Sequence, residues 1–419
     1  MLRFKLPVIL FGIGILLTGP ARADEPVRAA PVRTLKEAYV NALKTSERIT
    51  ISEEALREAE ALYRRTLGSS LPELSYRRTA DRSQGGSMAR ERMFRISKTN
   101  LTGYRELAEI RADSSTVQQR SHERRRAEQL LLADISVAYY NILQARENIT
   151  ATRRLVDLSR KRLDELQKRV RVGRTREADA IEQEYQISTL ESQLEESERL
   201  LDSRSNLLEF LVGAPVTPPD LSDTSNSAGP RSLERYLAGI DTRPDIRAAR
   251  ENVESVRALV DAARADRLPQ LDATANYYTD RPKNPADWDV SLGVKFPIWD
   301  GGSRKAAVDA AESVLRQKEA ELKATRRSAD LEIRNAYHDY ASARKQMVIL
   351  RMSVDLARRD YEEQARDDRQ GLVTSLEVIE SLNRLNSAEL SVASARVQER
   401  LTELNLEIAA GANPEEILK

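Results

Sequence analysis

Two stretches without glycine or proline set the main constraint on the fold. Tyr104–Val172 contains 69 residues without either, and Ser303–Gln370 contains 68. Because glycine and proline interrupt helices, each stretch predicts one continuous helix of about 100 Å at a rise of about 1.5 Å per residue. Each stretch ends at a glycine, Gly173 or Gly371, and 39 further residues without a breaker follow it. A second long helix is therefore predicted to fold back on the first, giving two antiparallel hairpins.

Two further patterns fit such hairpins. Apolar residues recur at steps of three and four, as in the packing seam of a coiled coil. The clearest run in the second stretch is Leu350, Val354, Ala357 and Tyr361. A shorter helix is predicted upstream of each long one, at about Ser46–Leu67 and Asp245–Leu268. Placed end to end with the 39-residue segment, it would about match the long helix in length.

The chain contains the same unit twice. Leu71-Pro72-Glu73-Leu74 recurs 197 residues later as Leu268-Pro269-Gln270-Leu271. The turn glycines Gly173 and Gly371 are 198 residues apart. A nearly constant spacing between landmarks predicts an internal duplication. We expect a signal peptide, a first repeat, a Pro- and Ser-rich linker, a second repeat and a tail, at 1–23, 34–213, 214–233, 234–411 and 412–419.

Composition argues against an enzyme. The 419 residues include 32% charged and 5% aromatic residues and no cysteine, which suits long exposed helices better than compact cores. Without cysteine there is no disulfide, thiolate metal site, cysteine nucleophile or lipid-bearing amino-terminal cysteine. His122 and His338 stand apart in helical sequence, whereas metal ligands come in clusters. Near-neutral charge gives no support for nucleic-acid binding. We predict no catalytic residue, cofactor, metal or nucleic-acid partner.

The first residues indicate export. Arg3 and Lys5 form a basic start, and Leu6–Leu17 is an apolar run too short to span a bilayer. Ala21-Arg22-Ala23 then supplies a cleavage site with small residues at both ends. We expect cleavage after Ala23. Because no later stretch is apolar for long enough, any membrane crossing would have to be made by strands.

Strand-like sequence lies between the short and the long helix of each repeat. In the second repeat, Leu271–Tyr278 and Val290–Phe296 alternate apolar and polar residues. This alternation is typical of a membrane β-barrel strand, and an ordinary half-buried hairpin has the same pattern. Trp288 and Trp299 lie near the two ends of the second strand, where a membrane interface favours aromatic residues. In an exported chain without a globular core, the barrel is the better interpretation.

The order of these elements resembles one known family. A signal peptide, short helix, two strands, long helix, glycine turn and second long helix is similar to the TolC-like outer-membrane efflux proteins over about Thr34–Gly411. The most specific match is the strand-to-helix connection Phe296-Pro297-Ile298-Trp299-Asp300-Gly301-Gly302. The resemblance implies a mainly α fold with membrane β. Long antiparallel helical hairpins would form an α-barrel, and four strands per chain would contribute to a shared trimeric transmembrane β-barrel.

The resemblance also implies a function and partners. The protein would be the outer-membrane exit duct of a tripartite efflux or type I secretion system. It would passively conduct substrates received from a periplasmic adaptor (membrane fusion) protein and, indirectly, from an inner-membrane pump. It would be a homotrimer in outer-membrane lipid with a large periplasmic extension. Physical reasoning agrees, because four strands cannot close a barrel and open sheet edges are not tolerated in lipid.

In the family, the turns between the long helices form the tip, which gates the duct and binds the adaptor. Acidic pairs follow both turn glycines at the i, i+3 spacing that shares a helix face. By resemblance, Glu377 and Glu380 form a ring that narrows the closed tip and selects cations, with Asp179 and Glu182 as first-repeat counterparts. The adaptor-docking turns would be Val172, Gly173, Arg174 and Thr175 in the first repeat and Gly371, Leu372, Val373 and Thr374 in the second. The aromatic residues at the membrane interface would be Trp288, Phe296 and Trp299. The connection from strand to helix would depend on Pro297, Asp300, Gly301 and Gly302. The alternatives are ordinary exposed carboxylates and helix-capping glycines.

Two features depart from the family pattern. The first hairpin is polar and carries Arg78 on the face of Leu74, so either its apolar band is short or its arginines face the lumen. Val373 stands where some family members carry an arginine that helps to hold the tip closed. Arg174 or Arg176 would have to substitute, or the tip is held differently.

The alternative function is a periplasmic coiled-coil structural or adaptor protein that does not span the membrane. Adaptors usually carry a Gly-rich, lipoyl-like β domain beside their hairpin, and the sequence shows none. The duplicated strand pair also disfavours this alternative. The sequence does not identify the substrate, the adaptor or the pump.

Overall fold

The computed structural model of the protein describes residues 32–81, 89–100, 104–222, 229, 231–280 and 287–418. The expected signal peptide lies outside these residues, as does part of the expected linker. The helices of the described chain are α1 (Leu35–Thr45), α2 (Glu47–Ser69), α3 (Tyr104–Arg171), α4 (Glu177–Val212), α5 (Leu233–Ala238), α6 (Pro244–Ala265), α7 (Ser303–Gln370), α8 (Ser375–Ala409) and α9 (Pro414–Ile417). The strands are β1 (Glu73–Asp81), β2 (Ala89–Lys98), β3 (Gln270–Asp280) and β4 (Trp288–Lys295).

The two long helices end where the glycines predict. α3 and α7 contain 68 residues each, and Gly173 and Gly371 follow them with φ of 72° and 75°. This left-handed backbone is readily adopted only by glycine. In both turns the glycine amide and the next amide bond back to carbonyls of the last helical turn, which is the Schellman cap. The following helices begin three residues later than predicted, because Arg174–Arg176 and Leu372–Thr374 form the turns.

The helices pack as two hairpins joined side by side. α4 returns along α3 and α8 returns along α7, which confirms the predicted antiparallel pairs. α2 also lies along α3, and α6 along α7. Both α6 and α8 pack against α3 as well and thereby join the repeats. The lateral order is therefore α2–α3–α6–α7 near the sheet and α4–α3–α8–α7 toward the turns. None of the helices in the described part of the chain combines the length and apolar content of a transmembrane helix.

In each repeat the second long helix, α4 or α8, ends where the short helix, α2 or α6, begins, as predicted. In the first repeat, the Oγ1 atom of Thr45 donates to the carbonyl oxygen of Val212 at 2.9 Å. In the second, the buried guanidinium of Arg243 donates to the carbonyl oxygen of Ala409. Each contact occupies a carbonyl that has no partner within its own helix at a carboxyl-terminal end. The two halves of the chain therefore make a similar joint with different side chains.

Three short helices of the described chain, α1, α5 and α9, were not predicted. A capping box opens α1: the Thr34 side chain accepts from the Glu37 amide, and the Glu37 side chain accepts from the Thr34 amide. The spacing of these two residues was the signal available in the sequence. α1 contributes to the largest apolar core, which also includes Leu132, Ile135 and Tyr139 of α3. This core fixes the middle of the long helices, so the sheet and the turns lie at opposite ends of the molecule.

The four strands form one antiparallel sheet in the order β1-β2-β3-β4. Each strand pairs with its neighbour over seven or more positions. A bulge between Arg92 and Met93 interrupts the β2–β3 register near the far end of the sheet. The predicted strands are confirmed, although β4 ends at Lys295, one residue earlier than expected. β1 and β4 form the two edges of the described sheet.

Candidate functional site

One face of the sheet carries a continuous set of exposed or partly exposed apolar side chains, here called the apolar band. The strand registers align these residues on a single face, because side chains alternate along each strand. Val290, Leu292 and Val294 are each about two-thirds exposed. The members of the band are Leu74, Tyr76, Phe94, Ile96, Leu271, Ala273, Ala275, Tyr277, Trp288, Val290, Leu292 and Val294. An uncovered apolar face of this size marks a surface that meets a partner or a lipid phase.

The apolar band is shorter on the first hairpin than on the second. Arg78 and Arg92 are opposite each other and lie on the same face as the band, just beyond its apolar residues. Lys98 bounds the band at the other end of β2, so the charges on β2 are about 20 Å apart. On β4 the same face is apolar along the whole strand. Of the two alternatives raised by the polar first hairpin, the structure favours the short band.

The opposite face of the sheet is polar and internally hydrogen bonded. The Nε atom of Arg95 donates to Oδ1 of Asn276 at 2.9 Å, and Nδ2 of Asn276 donates to Oδ1 of Asp289 at 2.7 Å. The hydroxyl of Tyr278 donates to Oδ2 of the same aspartate at 2.7 Å. These bonds connect β2, β3 and β4 across one face. The sheet thus has one face suited to lipid and one suited to water.

The connection from β4 to α7 presents aromatic and apolar side chains on a rigid turn. Ile298 and Trp299 are 91% and 88% exposed. Asp300 fixes the turn, since its carboxylate accepts from the amides of Gly302 at 3.1 Å and Arg304 at 3.0 Å. Gly301 and Gly302 both have positive φ. Asp300, Gly301 and Gly302 thus form the turn that starts α7. Phe296, Pro297 and Trp299 lie between β4 and α7, and Trp288 is the first residue of β4 at its other end.

The turn residues predicted to meet an adaptor lie at the far end of the hairpins from the sheet. Val172 and Leu372 are 67% and 70% exposed. Gly173, Arg174, Gly371 and Thr374 are also exposed, and Thr175 and Val373 are partly exposed. An apolar side chain on each glycine turn gives the tip two similar small surfaces, one from each repeat.

The four predicted acidic residues have different environments. Glu377 belongs to a capping box: its Oε2 accepts from the Thr374 amide at 2.6 Å, and its own amide donates to the Thr374 side chain. The hydrogen bond from the Thr374 backbone, and then that from its hydroxyl, hold the pKa of Glu377 below its usual range. Glu380 is more loosely held, 3.9 Å from Arg384. Asp179 pairs with Arg176, the residue just before α4, at 3.0 Å, and Glu182 is exposed.

A buried ion cluster joins the two hairpins just above the tip. The carboxylate of Asp368 lies 2.7 Å from Nη1 of Arg162 and 2.9 Å from Nη1 of Arg169. Only 4% of the Asp368 side chain is exposed. Burial raises the pKa of the Asp368 carboxyl, but the hydrogen bonds and charges of Arg162 and Arg169 outweigh burial and leave it below its usual range. This contact connects α3 of the first repeat to α7 of the second.

The arginines of this cluster differ from those expected to compensate for Val373. Arg176, one of the expected substitutes, pairs with Asp179 of its own hairpin, and the buried contact with Asp368 comes from Arg162 and Arg169 instead. The sequence held a signal that was missed. Met347, Val354, Tyr361 and Asp368 follow one another at seven-residue steps along the packing seam of α7. A carboxylate at a seam position requires a partner, because an unpaired buried charge is costly.

Comparison with solved structures defines the class of fold. The outer membrane protein VceC of Vibrio cholerae superposes with a TM-score of 0.78 at 18% identity, covering 90% of this chain and 96% of that one. The MtrE outer membrane channel of Neisseria gonorrhoeae superposes with a TM-score of 0.77 at 19% identity, covering 93% of both chains. The fold is therefore that of outer-membrane channels.

Sequence comparison finds one family model that matches part of the chain. Residues 239–412 match the family model described as outer membrane efflux protein. The proteases secretion protein PrtF of Dickeya chrysanthemi is 27% identical over 57% of this chain, and the outer membrane protein TolC of Vibrio cholerae is 22% identical over 69% of each chain. The chain spans 55% of the length of PrtF and 60% of that of the alkaline protease secretion protein AprF of Pseudomonas aeruginosa. The predicted resemblance to the TolC-like outer-membrane efflux proteins is confirmed.

Proposed function

We propose that this protein is a channel, the outer-membrane exit duct of a tripartite efflux or type I secretion system. The observation that carries the proposal is the apolar band, which is uncovered in a single chain. Lipid would cover this face, and the polar face with Asn276 and Asp289 would line the water-filled lumen. Names of relatives support the class, since PrtF and AprF are secretion proteins and TtgC of Pseudomonas putida is a probable efflux pump outer membrane protein.

We propose that the working assembly is a homotrimer. Four strands leave β1 and β4 as open edges, and lipid contains no water to satisfy their free backbone groups. Three chains would give a barrel of about twelve strands, within the size range of outer-membrane barrels. The flanking helices α7 and α2 or α4 would meet in the same ring, and the hairpins would extend into the periplasm as an α-barrel. Export would use the signal peptide, cleaved after Ala23.

We propose that the tip forms the gate and the adaptor contact. Val172 and Leu372 provide exposed apolar side chains on two similar turns, which suits a partner with a repeated binding surface. In a three-fold assembly, Glu377 and Glu380 would bring six carboxylates near the axis, with Asp179 and Glu182 nearby, and would favour cations. The Asp368 cluster would hold the hairpins together in this closed form. The inner-membrane pump would be reached through the adaptor.

The proposal is tested by placing an arginine on either face of the sheet. Leu292→Arg puts a charge on the apolar band, where a mid-membrane arginine costs about 2–4 kcal/mol. Ser291→Arg is the matched control, because its neighbouring position points to the polar face. We expect the Leu292→Arg variant not to yield a three-chain species when outer membranes are extracted with detergent. We expect the Ser291→Arg variant to yield that species. A soluble periplasmic monomer or dimer of the unmodified protein would instead favour the coiled-coil adaptor.

A further inference from the structure

The open edges of the sheet end in two exposed charges of opposite sign. Glu73 begins β1 and Lys295 ends β4, so both lie at the end of the sheet nearest the helices. The strand registers place both side chains on the polar face. Neither has a side-chain partner among the described residues, whereas the interior of this face is connected through Arg95, Asn276 and Asp289. Two unmatched charges on complementary edges indicate a contact between copies.

We infer that β4 of one copy pairs antiparallel with β1 of the next, with Lys295 directly opposite Glu73. The inference rests on the proposed membrane trimer and specifies how its sheet closes. In this register Leu74 is opposite Val294 and Tyr76 is opposite Leu292, so the apolar band continues across the junction. A shift by one residue would place the band of one copy against the polar face of the next, and is excluded by alternation.

The tilt of the strands supports the same register. Straight across one copy, Glu73 is level with Ser97, Thr274 and finally Ser291 on β4. Pairing of Glu73 with Lys295 therefore shifts each copy by about four residues along the strand relative to the previous copy. Around three copies the shift sums to about twelve residues, which tilts the strands by about 35° from the barrel axis. A register two residues shorter gives only about 20°, below the usual range of about 35–45°. A register two residues longer gives a strand tilt of about 46°, and Glu73 and Lys295 are then no longer directly opposite each other.

The absence of cysteine makes the register directly measurable. Glu73→Cys and Lys295→Cys in one chain would be oxidised in isolated outer membranes and separated without reductant. Directly opposite residues of antiparallel strands lie within disulfide range. We expect covalent species that stop at three chains, because a closed ring consumes both cysteines of every copy. Each single variant should give no cross-linked product.

The matched control is Ser75→Cys with Lys295→Cys, which tests the register two residues longer. We expect it to cross-link several-fold less than the Glu73 pair, and a reversed order of yields would overturn the inference. A three-chain mass in detergent without any cross-link at Glu73 would also overturn it while leaving the proposed function intact. A monomer in detergent would overturn both.

A charge exchange provides a second measurement that needs no cross-link. Glu73→Lys and Lys295→Glu each place like charges opposite each other, which destabilises a strand pair. We expect each to lower the temperature at which the three-chain species dissociates in detergent, and the double exchange to restore it. Equal loss in the single and double variants would show that the two residues do not meet.

Discussion

Arg243 lies directly against Gly411. A Cβ atom on the glycine would lie 2.8 Å from Cγ of Arg243 and 3.1 Å from its Cα. In the first repeat, Thr45 occupies the equivalent place beside Gly213, with its Cβ 2.8 Å from such an atom. The joint between short and long helices therefore requires a glycine for space as well as for conformation.

The two requirements can be separated by substitution. Gly173→Ala should cost about 1–2 kcal/mol, because only the left-handed backbone is strained and the space around it is open. Gly411→Ala should cost more, since the new methyl group meets the backbone of a buried arginine. The measurement is the midpoint of denaturant unfolding of both variants. Equal midpoints would contradict the tight contact with Arg243.

Asp368→Asn should loosen the tip. The substitution leaves Arg162 and Arg169 without their shared counter-charge, at a cost on the order of 2 kcal/mol. Amide hydrogen exchange around Gly371 should become faster. Asp360→Asn is the control, because its pair with Arg384 is exposed and such pairs contribute little. Similar exchange rates in both variants would show that the Asp368 contact does not stabilise the tip.

The Asp368 effect should depend on pH in a defined direction. Its pKa in the folded protein is lowered, so its contribution is fully present above the unfolded value of about 3.9 and is lost as the pH falls through the folded value. The difference in tip protection between the wild type and Asp368→Asn should be constant between about pH 5 and 7 and should shrink below about pH 4. A difference that grows on acidification would have the wrong sign.

Removing the tip carboxylates should reduce cation preference. Glu377→Gln together with Glu380→Gln takes six charges from a three-fold tip, so the reversal potential in asymmetric salt should move toward zero in planar bilayers. Glu195→Gln is the control, an exposed carboxylate about 33 Å along α4 from Gly173. Unchanged selectivity in the tip variant would refute the acidic ring.

The two tryptophans should report both membrane interfaces. Trp288 opens β4 at one end of the apolar band, and Trp299 follows its other end. The Trp288→Phe variant retains only Trp299 as a tryptophan, and the Trp299→Phe variant retains only Trp288. We expect the fluorescence of both variants to be quenched by lipids brominated on the acyl chain near the headgroup. If Trp288 is quenched and Trp299 is not, the β4–α7 connection lies outside the bilayer.

The helices were predictable because their signals are local. Breaker-free runs and the glycines after them fix α3, α7 and both turns, and strand alternation fixes β3 and β4. The contacts between repeats were not predictable in the same way. Asp368 and Arg162 are far apart in sequence, and nothing local pairs them until the two hairpins come together. Glu377 shows the converse, since a Thr-x-x-Glu spacing is visible in sequence but its capping geometry competes with the role that resemblance suggested.

The unequal height of the apolar band has a consequence for the surrounding bilayer. In a three-fold ring, the short sector bounded by Arg78 and Arg92 would alternate three times with the taller sector on β3 and β4. Lipids beside the short sectors would have to thin, at a cost of a fraction of a kcal/mol per Å of mismatch. The protein would thus have a scalloped hydrophobic perimeter, and short-chain lipids would collect at three places around it.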